Sequence, residues 1–91
     1  MKARAHVIVS GIVQGIGFRA SVRNEAATTG VTGYVKNRAE GKVEAVFEGE
    51  RTGVIGMVQF CRRGPPGASV DDVDVRMKEY TGEFGSFEVR Y

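Results

Sequence analysis

Residues 10–21 read SGIVQGIGFRAS, placing three glycines and one arginine between an apolar run and a stretch of helical periodicity. The plain reading is a tight strand-to-helix turn in which Gly15 and Gly17 permit positive φ. The functional reading is an anion cradle. A glycine-rich turn lets successive backbone N–H groups point into one concavity. The following helix start adds free N–H groups and the positive end of its dipole. Arg19 adds a planar, permanently charged fork that can hold two phosphate oxygens. A cation in the first turn of a helix is otherwise slightly unfavourable. A bound anion resolves that conflict, so the cradle is the favoured reading. The spacing is not G-x-G-x-x-G and no G-K-[ST] follows, which excludes the dinucleotide and nucleoside triphosphate motifs.

Asn37 is the second candidate. It closes an alternating run before the turn RAEG, residues 38–41. Asparagine is common at strand ends because it tolerates left-handed angles. Taken alone, that structural reading carries most of the weight.

Much other chemistry is excluded. His6 is the only histidine and Cys61 the only cysteine, so one chain can build no His-based triad, multi-His metal site or disulfide. Cys61 lies on an apolar helix face and reads as an inert core thiol. The lone cysteine points to a reducing, cytoplasmic setting. His6 reads as a strand-surface residue. Arg62 and Arg63 suit the negative end of a helix dipole. Asp71, Asp72 and Asp74 are spread by strand alternation and read as a solvated face, not a metal site. Tyr34 either packs near the loop or fills a hairpin. Arg23 either supports the loop or pairs with Glu25 or the terminal carboxylate, and it is not read as catalytic. The net charge of +2 is too small to imply nucleic acid by itself. The apolar run after the first residues is too short for a signal peptide or membrane span.

The elements that must position these residues follow from periodicity. With 91 residues, a single domain over 1–91 is expected. Residues 5–13 read as a strand, although the pattern leaves open which face is buried. Residues 19–29 read as a helix, with Phe18, Val22 and Ala26 on one face and Gly30 as the stop. Residues 31–37 and 42–48 form a hairpin, with Val43, Ala45 and Phe47 inward. Residues 51–63 read as a helix carrying Val54, Met57, Val58 and Cys61, weakened by Gly53 and Gly56 and ended by GPPG. Residues 69–80 alternate, with Val73, Val75 and Met77 inward. SFEVRY, residues 86–91, is a short last strand. The order βαββαβ plus a C-terminal strand predicts an α+β, ferredoxin-like sandwich. Its antiparallel sheet carries both helices on one face and leaves the other open.

VSGIVQGIGFR (residues 9–19) and GYVKNRAEGKVEAVFEG (residues 33–49) resemble, in order and separation, the two signatures of the acylphosphatase family. RRGPPGASVDDV resembles the family's approach to its fourth strand. The likeness runs nearly end to end. Ile12 stands where a basic residue is frequent and Ile16 where valine is usual.

The resemblance implies hydrolysis of acyl phosphates to a carboxylate and inorganic phosphate. Arg19 would bind the phosphate and Asn37 would orient the attacking water. The backbone N–H groups of Gln14, Gly15, Ile16, Gly17, Phe18 and Arg19 would hold the remaining phosphate oxygens. No metal and no cofactor are implied. The implied partner is a small acyl phosphate, with no nucleic acid and no membrane, and a monomer is expected. The chain ends soon after its last predicted strand, which favours a free-standing enzyme over a regulatory or maturation module of a larger carbamoyl-transfer protein. An RNA-binding domain of the same topology would stack bases on aromatics of its central strands. Here the third strand offers only Phe47, whose alternation places it in the core. A metal-carrying domain of this topology would need a C-x-x-C pair, which is missing.

Overall fold

A computed structural model describes residues 1–91. The elements run β1 (Lys2–Ile12), α1 (Phe18–Thr29), β2 (Thr32–Asn37), a 3-10 turn (Ala39–Gly41), β3 (Val43–Glu50), α2 (Arg51–Arg63), β4 (Ser69–Lys78) and β5 (Phe87–Arg90). The sheet order is β4-β1-β3-β2-β5. Both helices cover one face. Ala3, Ala5, Val7 and Val9 of β1 and Val43, Ala45 and Phe47 of β3 meet Phe18, Val22 and Ala26 of α1 and Val54, Met57, Val58 and Cys61 of α2 in one core. The odd-numbered face of β1 is therefore the buried one, a choice that alternation alone left open.

The expected antiparallel sheet is instead mixed. β1 to β4 pair antiparallel, but β5 lies parallel to β2, with Gly33 opposite Phe87. The cause is topological. β4 and β5 occupy opposite edges of the sheet. The connection, residues 79–86, crosses the sheet end to reach the far edge, and β5 then runs back in the direction of β2.

Glu48 anchors this crossing. It follows Val46 on the open face of β3 and is buried. Its carboxylate accepts hydrogen bonds from Arg4 Nη1 at 2.8 Å, the Thr81 N–H at 2.9 Å, the Thr81 hydroxyl at 3.0 Å and the Gly82 N–H at 3.0 Å. Burial alone would raise its pKa. The Thr81 N–H, Arg4, the Thr81 hydroxyl and the Gly82 N–H together hold it below the ordinary range. Phe84 then packs edge-on against Tyr34, with ring centroids 6.0 Å apart, so Tyr34 sits beneath the crossing rather than at the loop.

β4 departs from clean alternation. Ser10 pairs with Asp72 but Gly11 with Val70, leaving Asp71 as an extra residue. This bulge brings Val70 and Val73 onto the same side, and both pack on the core. A Cβ on Gly11 would fall 2.1 Å from the Ser69 carbonyl oxygen, so only glycine fits there. β4 also ends at Lys78, short of the expected Tyr80, where the chain leaves the edge to cross. Met77, expected inward, is 50% exposed, because an edge strand has a neighbour on one side only. Asp71, Asp72 and Asp74 are exposed, as expected for a solvated face. Cys61 is fully buried, and burial pushes its thiol pKa up to about 12.

Candidate active site

The cradle lies between β1 and α1. Gly15 and Gly17 adopt φ of 76° and 79°. A Cβ on either would meet no protein atom, so the backbone conformation requires glycine there, not crowding. No side chain caps α1. The first bonded N–H of the helix is that of Ser21, which donates to the Gly17 carbonyl at 3.0 Å. The N–H groups of the preceding turn and of Phe18, Arg19 and Ala20 are thus unspent. Alternation of left-handed glycines with an ordinary residue is the geometry that converges such donors on an anion.

Arg19 and Asn37 meet at this cradle. Both line a cavity of about 210 Å³ together with Gly15, Gly17 and Phe18. Arg19 Nη1 donates to the Arg90 carbonyl at 3.4 Å, and its guanidinium carbon lies 4.6 Å from the Tyr91 ring centroid. No carboxylate pairs with Arg19. Its two contacts, a long hydrogen bond and an exposed ring, leave the charge uncompensated. Asn37 ends β2, opposite Val43 of the hairpin. Its Oδ1 is buried and takes no hydrogen bond from any protein group. A buried acceptor without a partner costs about 1–3 kcal/mol, which makes such an atom a candidate for contact with a reactant.

Gln14 and Ile16 do not form part of the cavity wall. Ile16 packs on the core. The Gln14 side chain turns to the hairpin, where Nε2 donates to the carbonyls of Arg38 and Lys42, each at 2.8 Å. The Arg38 N–H also donates to the Lys42 carbonyl at 2.8 Å, closing the turn. Gln14 thus fastens the cradle to the strand end that carries Asn37. This role is additional to anything its backbone N–H does. An amide side chain inside a glycine-rich loop was the available signal.

Val89 and Tyr91 form a wall that alternation did not place. It identified the segment as a strand, but not the neighbour it pairs with. His6 lies on the open face, away from the cradle, with Nε2 2.6 Å from Glu44 Oε2. Phe47 is buried on the helix side and stacks on Phe87 at 5.7 Å. Base stacking on the third strand therefore has no exposed aromatic to use. No group of three or more His, Cys, Asp or Glu side chains is placed to hold a metal.

Comparisons with known proteins converge. The family model described as Acylphosphatase matches residues 5–89. A relative named acylphosphatase from Pelotomaculum thermopropionicum is 50% identical over 90 residues, covering 99% of this chain and 98% of its own. Among solved structures, acylphosphatase from Bacillus subtilis superposes with a TM-score of 0.93 at 34% identity, covering 100% of both chains. An acylphosphatase from Coxiella burnetii gives a TM-score of 0.91 at 39% identity over 98% of this chain and 93% of its own.

Proposed function

The chain belongs to the acylphosphatase family and hydrolyses the carboxyl–phosphate bond of acyl phosphates, and we propose that Arg19, Asn37 and the backbone of the glycine turn carry out this reaction. The observation that carries the assignment is the placement of Asn37 and an Arg19 guanidinium without a carboxylate partner on the wall of one cavity, beside the glycine turn.

The substrate's phosphoryl group sits in the cradle. Arg19 grips two of its oxygens, and N–H groups of the cavity-lining residues Gly15, Gly17, Phe18 and Arg19 hold the rest. The Asn37 side-chain amide orients the attacking water, so that the water's lone pair is aimed at phosphorus. The new O–P bond forms as the bond from phosphorus to the acyl oxygen breaks. The carboxylate leaves with the bonding electrons, and a phosphoryl oxygen takes the water's proton. Charge accumulates on the equatorial oxygens in this loose transition state. Fixed donors therefore do most of the work, and a strong general base is not needed. The scheme uses no metal and no cofactor.

The reading extends to a single domain over residues 1–91 acting as a cytoplasmic monomer without a nucleic-acid partner. A free, buried Cys61 suits a reducing compartment. No helix is long and apolar enough to cross a membrane. The test is phosphate release from acetyl phosphate and benzoyl phosphate with chelator present. The wild type should turn over both. Arg19→Ala should lose about 10³-fold or more in kcat/KM while keeping its fold. A folded wild type that releases no phosphate, or an Arg19→Ala variant within tenfold of it, would refute the assignment.

A further inference from the structure

We infer that Arg23 forms an anion subsite on the acyl side of the active site, so that the enzyme favours acyl phosphates bearing a second carboxylate on the acyl chain. The inference rests on the catalytic reading above. Arg23 follows Arg19 by one helical turn, which puts their Cβ atoms about 5–6 Å apart on one face of α1. Arg23 lines the phosphate cavity and also a neighbouring open groove of about 470 Å³. A ligand that fills the cradle and continues into the groove therefore passes its side chain.

The chemistry of the two cavities selects the occupant. Neither is lined by any acidic residue. Arg23 is exposed, and no carboxylate pairs with it. It does not take the Glu25 or terminal-carboxylate partners that its position allowed. Two like charges on adjacent turns repel. A ligand anionic at both ends neutralises both guanidiniums, with its phosphoryl at Arg19 and its carboxylate at Arg23. Between the ends, a short methylene chain suits the apolar part of the phosphate cavity, formed by Phe18, Ala20 and Val89.

The test compares butanoyl phosphate with 3-carboxypropanoyl phosphate, which differ only in a terminal methyl against a carboxylate. Wild-type kcat/KM should favour the carboxylate by about twofold to fivefold, the range expected of an exposed guanidinium–carboxylate contact. Arg23→Gln should bring the ratio close to one, Arg23→Lys should retain part of it, and Arg23→Glu should invert it. Lys78→Gln removes an exposed cation from the opposite edge strand and should leave the ratio at its wild-type value. A wild-type ratio of one overturns the subsite. So does an equal fall in Lys78→Gln, which would reveal a general charge effect. Loss of the preference with butanoyl phosphate still hydrolysed isolates the subsite. No turnover of either substrate by the wild type would defeat the catalytic reading and the subsite with it.

Discussion

Replacing Asn37 by alanine should separate activity from stability. The amide oxygen is buried and receives no hydrogen bond from the protein. In the resting enzyme this atom is a liability of about 1–3 kcal/mol. Alanine removes that liability, and the small space it leaves returns part of the gain. The net stability change should therefore lie between zero and about +2 kcal/mol, a rise in melting temperature of up to about 10 °C for a domain of this size. In the proposed reaction, the Asn37 amide positions the attacking water in a preorganised site. Losing one such contact should lower kcat by about 10²–10³-fold. Asn37→Asp provides the contrast. It keeps the shape but sets a charge beside the phosphoryl group, a repulsion of about 4 kcal/mol per unit charge at 4 Å and an effective dielectric of 20. It should lose more activity than alanine does. Urea titrations and initial rates with benzoyl phosphate measure both quantities. An alanine variant destabilised by more than about 1 kcal/mol would mean that the amide is structurally satisfied. A rate loss below tenfold would remove Asn37 from the reaction.

Three further outcomes follow from the contacts around the site and core. Gln14→Met removes two hydrogen bonds to the hairpin. It should cost about 1–2 kcal/mol and lower kcat about tenfold to a hundredfold with KM little changed, because the end of β2 shifts against the cradle; a variant that loses stability alone would limit Gln14 to folding. Glu48→Gln breaks a buried carboxylate clamp and should cost about 3 kcal/mol in urea. Since the folded Glu48 pKa lies below its ordinary 4.5, the unfolded chain takes up the proton first. Wild-type stability is therefore complete above that value and falls as pH drops below it; Glu48→Gln should flatten this fall, and an unchanged acid limb would contradict the clamp. Gly56→Ala should stabilise α2 by about 0.5–1 kcal/mol, because a Cβ there meets nothing within 4 Å. Gly53→Ala should gain less, since its Cβ would lie 3.2 Å from Val31 Cγ2. Thermal melts distinguish the two.

The sequence was most legible where one period ran uninterrupted. α2 occupies residues 51–63 with the four expected apolar residues buried, because its stripe repeats over three turns and GPPG stops it. The strand-to-helix turn was legible because Gly15 and Gly17 supply the positive φ it needs just before the helical period begins. Asn37 alone was ambiguous, and gained weight from the resemblance and then from its place opposite the cradle. The parallel placement of β5 was not legible, since four alternating residues do not say which strand they join. Glu48 was also hidden. In KVEAVFE it falls in phase with Glu44 and reads as solvated, and its burial depends on a crossing that arrives more than thirty residues later in the chain.

That crossing bears directly on the chemistry. Arg19 rests on the Arg90 carbonyl and the Tyr91 ring, both supplied by the segment that the Glu48 clamp delivers to the far edge. Asn37 is held through a different tether, the Gln14 side chain across the hairpin carbonyls. The proposed phosphate grip and water position thus depend on separate parts of the chain, and damage to each should leave a different kinetic mark. Loosening β5 should weaken the grip and raise KM before it lowers kcat. Loosening the hairpin should misalign the water and lower kcat with binding retained. Glu48→Gln and Gln14→Met compared at one pH on one substrate make that distinction, and a common pattern in both would mean that the cradle responds as a single rigid body.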